Sequence, residues 1–244
     1  MSHPSPQETA VLDNPAWHAL TGPHASFAIG DDLVRRYPED VAPFVAVRSW
    51  EDPRVWDALA DLVGPGAEVG LSGLEASLPA GWTEIGGGDG VQLIETEALR
   101  PVPDEEVVVL GAGDADEMMA IVERNQPGPF RPRTHELGRY IGIRRKGRLV
   151  AMAGERLHPD GWTEISAVST DVEYRGQGLA SRLVLDVAFH IRERGDRALM
   201  HAAATNVGAI AVYERLGFAL RRHTRFAAVR TPSRVGEAGR TVIA

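Results

Sequence analysis

The second half of the chain predicts an α/β fold with helices on both faces of a sheet. Three observations carry this reading. Short apolar runs are bounded by turn residues, two amphipathic stretches of helical length alternate with such runs late in the chain, and a glycine stands where each of those helices must stop.

Taken in order, Val107 to Leu110 reads as a strand after the proline-broken seam Arg100-Pro101-Val102-Pro103-Asp104. Asp114-Ala115-Asp116 opens a helix through Met118, Met119, Ile121 and Val122, its acidic residues placed at the positive end of the helix dipole. Asn125-Gln126-Pro127-Gly128-Pro129 ends it, and Thr134 to Arg139 is a short helical stretch. Tyr140 to Arg144, Leu149 to Leu157 and Trp162 to Thr170 read as strands joined by turns at Lys146-Gly147 and Pro159-Asp160-Gly161. A helix from about Leu179 to Arg194, a strand from Ala198 to Ala202, a helix from Val207 to Leu216 and strand-like sequence from Phe218 to Val229 complete the half.

The first half is less periodic. Val55 to Val63 is a helix stopped by Gly64-Pro65-Gly66, and Asp13 to Leu20 begins as a capped helix. Val45 to Val47, Glu68 to Leu71, Trp82 to Ile85 and Val91 to Ile94 are candidate strands, with Gly86-Gly87-Gly88-Asp89-Gly90 read as a hairpin turn. The pentapeptide Gly81-Trp82-Thr83-Glu84-Ile85 recurs as Gly161-Trp162-Thr163-Glu164-Ile165.

Composition narrows the chemistry. The chain of 244 residues contains no cysteine, which excludes disulfides, thiolate metal sites and a cysteine nucleophile. The eight histidines form no H-x-x-x-H or H-E-x-x-H pair, so no metal site is expected. Residues 1–100 carry 5 basic against 16 acidic residues, and residues 101–244 carry 21 against 18. So acidic a first half argues against nucleic-acid binding, whereas the near-neutral remainder suits an anionic cofactor. No apolar run approaches the roughly 18 residues of a membrane span. The segment Met1-Ser2-His3-Pro4-Ser5-Pro6 does not read as a secretory signal. A cytoplasmic location without membrane contact is the expectation.

The most specific local feature is Tyr174-Arg175-Gly176-Gln177-Gly178-Leu179-Ala180-Ser181, between a strand and a long helix. A helix N-terminus leaves its first amides without partners and carries the positive end of the dipole. Gly176 and Gly178 let a phosphate reach that backbone, and Ala180 keeps the next turn slim. No G-K-[ST] follows, and Ser181 replaces the third glycine of a dinucleotide fingerprint.

Arg175-x-x-Gly178-x-Ala180 resembles the R/Q-x-x-G-x-G/A signature of the GNAT superfamily of acetyltransferases. Downstream, Asn206-x-x-Ala209-x-x-Val212-Tyr213-Glu214-Arg215-Leu216-Gly217-Phe218 resembles the superfamily's N-x-x-A-x-x-L-Y-x-x-x-G-F segment. The resemblance covers about residues 105–232. It implies a mixed, largely antiparallel sheet flanked by helices and a GNAT domain over 101–244. Residues 1–100 are then an accessory half, with two readings open: a degenerate second copy of the fold or a separate cap.

The resemblance also implies a reaction, transfer of an acetyl group from acetyl-CoA to a primary amine of a small molecule or peptide. With no cysteine, direct attack in a ternary complex is the simplest route. The amides of Arg175, Gly176, Gln177, Gly178, Ala180 and Ser181 would hold the coenzyme A pyrophosphate. Val168 N–H would face the acetyl carbonyl, Thr170 would pair with the pantetheine arm and Asn206 would bond it. Tyr213 would protonate the leaving thiolate. An alkylammonium must lose a proton before it attacks, and Glu164 stands where family members carry the base. Strand alternation places Glu164 on one face with Ser166, Val168 and Thr170, and Glu155 is the reserve. Phe130, Arg131 and Arg133 lie where an acceptor could pass, although they read better as ordinary loop residues. His201 reads as structural. A non-catalytic acyl-CoA-binding module is the alternative.

Overall fold

Most strands are apolar on at least one face and end at a glycine, proline or charged turn. The computed structural model describes residues 4–233, so Met1, Ser2 and His3 of the leading segment lie outside the described residues. Among them, eleven strands form a single sheet: β1 (Ile29–Gly30), β2 (Val34–Arg36), β3 (Phe44–Val47), β4 (Glu68–Ser72), β5 (Thr83–Glu95), β6 (Val108–Leu110), β7 (Tyr140–Arg145), β8 (Arg148–Glu155), β9 (Trp162–Thr170), β10 (Arg197–Ala203) and β11 (Phe218–Arg230). The helices are α1 (Pro6–Thr9), α2 (Pro15–Thr21), α3 (Arg54–Val63), α4 (Ala115–Asn125), α5 (Leu179–Glu193) and α6 (Val207–Leu216). Thr134–Leu137 is a 3₁₀ turn.

The spatial order is β1-β2-β3-β4-β11-β5-β10-β9-β8-β7-β6. All neighbours are antiparallel except β3 with β4 and β9 with β10. The fold is therefore the mixed, largely antiparallel sheet with flanking helices that the sequence predicts. A meander of three strands, a helix and a parallel fourth strand occurs twice, as β1-β2-β3-α3-β4 and as β7-β8-β9-α5-β10. The two runs lie on opposite sides of the central pair β5 and β11. In this correspondence β5 matches β11, so the repeated pentapeptide, which opens β5 and β9, sits at two non-equivalent places.

The sheet crosses the seam at residue 100. β5, from the first hundred residues, pairs with β10 on one side and with β11 on the other. Gly86 to Gly90 lies inside β5, opposite Ala228 to Thr224, and is not a hairpin turn. The glycines are needed for a different reason. A Cβ on Gly90 would stand 2.3 Å from the ring of Phe226, and Gly87 has φ +131° with the backbone of Phe226 and Ala227 against it.

β7 alternates cleanly, and β8 does so apart from a register slip at Val150. Ile141, Ile143, Ala151 and Ala153 pack with Leu183, Val187 and Ile191 of α5. Tyr140 and Met152 pack with Met118 and Ile121 of α4 on the opposite face. Both faces are covered, which is why β8 is apolar almost throughout. On the α4 side the chain's start also covers the sheet: Leu12 is fully buried among Ile94, Trp162 and Leu199, and Trp162 Nε1 donates to Glu8 O at 3.0 Å.

Candidate active site

β9 and β10 run parallel and pair only from Trp162↔Arg197 to Ile165↔Met200. Beyond that point they separate, and a cavity of about 1160 Å³ fills the gap. It reaches from the Gly176–Gly178 turn, past Tyr213 and Asn206, to a chamber walled by Leu12 to Ala16, Phe44 to Val47 and Gly70 to Gly73. The opening thus joins the α5 face of the sheet to the face covered by the first half.

The wall of the gap is irregular by construction. Ala167 has φ +54°, uncommon for a residue with a side chain, and the β8 register slips between Gly154↔Ser166 and Met152↔Ser169. Ala167 and Val168 therefore have no partner residue on β8, and none on β10. Ser169 Oγ and Thr170 Oγ1 are buried on the cavity wall without a hydrogen-bond partner. Buried hydroxyls are rarely left so.

After β9, Gly176 (φ +77°) and Gly178 (φ +76°) take left-handed backbone, and no protein atom would meet a Cβ at either. Gly178 is the N-cap of α5 and offers no side chain to its first turn, so those amides are left for an anion. Arg175, Gly176, Gly178, Ala180 and Ser181 line the cavity, whereas Gln177 does not. Arg175 is held at the turn, donating from Nε to Thr170 O at 3.2 Å and from Nη2 to Asn125 Oδ1 at 3.1 Å.

Asn206 caps α6, its Oδ1 accepting from Ala209 N at 3.2 Å, and it also lines the cavity. Tyr213 sits on the wall with its ring packed edge-on to Phe218, and burial pushes its phenol up to about 12.

Glu164 does not stand where alternation predicts. The bulge at Ala167 reverses the phase of β9, so Thr170 and Val168 fall on the α5 face with Ile165, and Glu164 and Ser166 fall on the other. The Glu164 carboxylate is fully buried and does not reach the cavity wall. Arg156 grips it with Nη2 at 2.5 Å from Oε1 and Nε at 3.0 Å from Oε2, and His201 Nδ1 lies 2.8 Å from Oε1. Burial opposes the ionised form, but Arg156 and His201 outweigh it and hold the carboxyl far below its ordinary range. A carboxylate so held is a poor proton acceptor, and the base reading of Glu164 is corrected accordingly. Glu155 does not replace it: it lies on the α5 face, paired with Arg194 at 2.8 Å, and is also off the cavity wall.

His201, read as structural from sequence, lines the cavity. Its partners fix its tautomer. Gln92 Oε1 accepts from Arg221 at 2.7 Å, so Gln92 Nε2 is the donor, to Leu12 O at 2.8 Å and to His201 Nε2 at 3.0 Å. The neutral ring therefore carries its proton on Nδ1, towards Glu164. The pairing of a strand histidine with a carboxylate on the neighbouring strand leaves no sequence signal, because it depends on the β9–β10 register.

The loop residues Phe130, Arg131 and Arg133 do not line the cavity. Phe130 is buried against Tyr140. Arg133 pairs with Asp40 at 3.1 Å and Glu136 at 2.7 Å, and Thr134 Oγ1 donates to Val41 O, which docks the first half onto the second. Nearby, His24 Nε2 donates to Leu137 O at 3.1 Å and His24 Nδ1 accepts from Tyr37 at 2.9 Å, with the ring of His158 at 4.9 Å. Among the described residues no cluster of three or more potential metal ligands occurs, and no helix is long and apolar enough to cross a membrane.

A split parallel pair, a bulged strand and a glycine turn feeding a helix thus frame one continuous cavity. The chain is 34% identical to a putative acetyltransferase of the GNAT family from Novosphingobium aromaticivorans, over 91% of this chain and 98% of that one, with a TM-score of 0.83. This chain belongs to the GNAT family. Residues 140–227 match the family described as FR47-like protein. A GCN5-related N-acetyltransferase from Kribbella flavida shares the fold at 21% identity and a TM-score of 0.57, over 89% of this chain and 94% of that one. Mycothiol acetyltransferases from Saccharopolyspora erythraea and Thermomonospora curvata are each 37% identical, over 26% and 30% of this chain. Those stretches span only 22% and 25% of the two relatives.

Proposed function

We propose that the protein transfers an acetyl group from acetyl-CoA to a primary amine by direct attack in a ternary complex. The observation that carries this reading is the continuous cavity from the Gly176–Gly178 turn, through the β9–β10 gap, to the chamber under the first half. The residues present fit the co-substrate: free amides at the α5 N-terminus suit a pyrophosphate, and the bulged Ala167–Val168 backbone, outside both strand ladders, lines the gap beside it.

Acetyl-CoA, when bound, supplies an activated acyl group. The chain's own contributions are positional and protonic. Arg175, Gly176, Gly178, Ala180 and Ser181 bind phosphate through backbone, and Thr170 and Asn206 hold the pantetheine arm. Val168 N–H, outside both strand ladders, offers an oxyanion donor. Tyr213 keeps its proton at neutral pH and can give it to the departing sulfur. The apolar gap keeps bulk water from competing with the amine.

The first half closes the acceptor chamber. Its meander keeps a parallel pair, β3 and β4, joined only at Phe44↔Gly70 and Val45↔Leu71. The connection that corresponds to the phosphate turn, Arg48 to Pro53, contains no glycine. This half is a diverged second copy that lost cofactor binding and became a wall of the acceptor site.

The test is to measure free-thiol release from acetyl-CoA over a panel of amines, beside calorimetry with acetyl-CoA. One site per chain and amine-dependent thiol release are expected. Binding without turnover on any amine would instead favour an acyl-CoA-binding module.

A further inference from the structure

We propose that Arg156 selects acceptors that carry a carboxylate on the same molecule as the reacting amine, such as a free amino acid. The inference rests on the acetyl-transfer reading of the cavity. Arg156 follows β8 and reaches the chamber side of the gap, where its side chain is 12% exposed and lines the cavity.

Its geometry leaves one edge unused. A guanidinium has two edges able to take a carboxylate, one formed by Nε and Nη2, the other by Nη1 and Nη2. Glu164 occupies the first, at 3.0 and 2.5 Å. Nη1 has no hydrogen-bond partner among the described residues. The ring of Phe44, 4.8 Å from the guanidinium carbon, packs against its face and keeps the plane from rotating. Glu164 is itself anchored by His201, so the free edge is held in one orientation.

Arg215 lines the cavity from α6, the helix that carries Tyr213, while two other cations on the wall are already engaged. Arg222, also on the chamber wall, is taken by Asp13 at 2.9 Å and Glu75 at 2.6 Å. Arg175 is tied at the phosphate turn. Arg156 with Glu164 is a neutral pair, which suits a zwitterionic acceptor: the ammonium first gives its proton to solvent, the neutral amine forms the C–N bond as the thioester C–S bond breaks, Tyr213 protonates the thiolate and recovers a proton from the new amide nitrogen, and the carboxylate stays on the guanidinium throughout. Arg156 also lies near the chemistry. Its backbone N donates to Glu164 O, and Glu164 is three residues before the bulge at Ala167, roughly 10 Å along the strand. A guanidinium arm spans part of that distance, so a carboxylate a few bonds from the amine can meet it.

The experiment compares matched acceptors. Wild-type protein and Arg156→Lys are assayed for free-thiol release from acetyl-CoA with the protein amino acids, β-alanine and γ-aminobutyrate, each beside its carboxamide. Acetyl-CoA affinity is measured in parallel by calorimetry. The expected result is a wild-type kcat/KM at least about tenfold higher for an acid than for its amide, since a bidentate pair is lost in the amide. In Arg156→Lys that ratio falls close to one while acetyl-CoA affinity stays unchanged, because Lys keeps the charge beside Glu164 but not the fork. If the variant does not fold, the wild-type ratio decides. Equal turnover of acids and amides, a ratio that survives in Arg156→Lys, or acetyl-CoA binding with no turnover of any amino acid overturns the proposal and leaves the transfer reading standing. Failure to bind acetyl-CoA at all overturns both.

Discussion

Glu164 and His201 meet across the last paired residues of β9 and β10, with His201 Nδ1 2.8 Å from Glu164 Oε1, directly where the two strands begin to part. The contact seals the sheet at the root of the gap. Glu164 thereby acts by fixing Arg156 and His201 rather than by taking a proton from the acceptor.

Glu164→Gln should reduce stability more than it alters the chemistry. It leaves Arg156 buried without its counter-charge, a loss of about 3 kcal/mol or more. The carboxyl's folded-state pKa is depressed from 4.5, so its contribution is complete above pH ~4.5 and is withdrawn only in strong acid. A lowered Tm with an unchanged shape of the pH–rate profile is the expected outcome. Disappearance of one limb of that profile, at unchanged Tm, would return Glu164 to the role of base.

Tyr213→Phe should lower turnover by about 10²-fold with little change in acetyl-CoA affinity or Tm. The ring packing on Phe218 is kept and only the phenol is lost. Since that phenol titrates at about 12, the wild-type rate should show no alkaline limb from Tyr213 below roughly pH 11. An unaltered rate on a good acceptor would make the tyrosine a packing residue.

Substitutions at Gly178 separate backbone strain from ligand obstruction. With φ +76° and open space around it, Gly178→Ala should cost roughly 1–2 kcal/mol of stability through the left-handed backbone. Gly178→Trp should in addition abolish acetyl-CoA binding in calorimetry by covering the first amides of α5. Equal affinity for Gly178→Trp and wild type would remove the phosphate site from this turn.

Acid should loosen the contact between the halves. His24 is brought down to about 4 chiefly by burial, with the neighbouring His158 adding to it, and His158 to about 4 by burial with Arg194 adding to it. Both therefore stay neutral in the folded chain while the unfolded chain binds protons from 6.5 downward. Stability is full above pH ~6.5 and declines as pH falls towards 4, by about 1.4 kcal/mol per unit for each group. Tm measured from pH 7 to 4 should fall, and His158→Gln should fall less steeply. A flat Tm over that range would contradict the assignment.

The sequence revealed most where the information is local. The Arg175–Ser181 turn and the Asn206–Phe218 helix are set by adjacent residues, and the structure places all but Gln177 of the expected binding residues on one cavity. Glu164 was misplaced because its face depends on a bulge at Ala167, and alanine gives no warning of positive φ. Gly86 to Gly90 read as a turn because the reason for the glycines, the Phe226 ring, comes from the far end of the chain. Arg156 and His201 were invisible as site residues for the same reason: their roles arise from strand register and from the wall that residues 12 and 44 supply.

That β5 lies between β10 and β11 has a bearing on how the chain reaches its native state. Residues 83–95 must wait for residues 197–203 and 218–230 before either of their edges is covered. While the chain is being synthesised, this glycine-rich strand keeps both edges unsatisfied until residues 197–203 emerge, and one edge until residues 218–230 do. Pairings this distant along the sequence make for slow closure. A fragment ending before β11 is expected to aggregate through β5 instead of folding, and one beginning after β5 lacks the strand that joins β10 to β11.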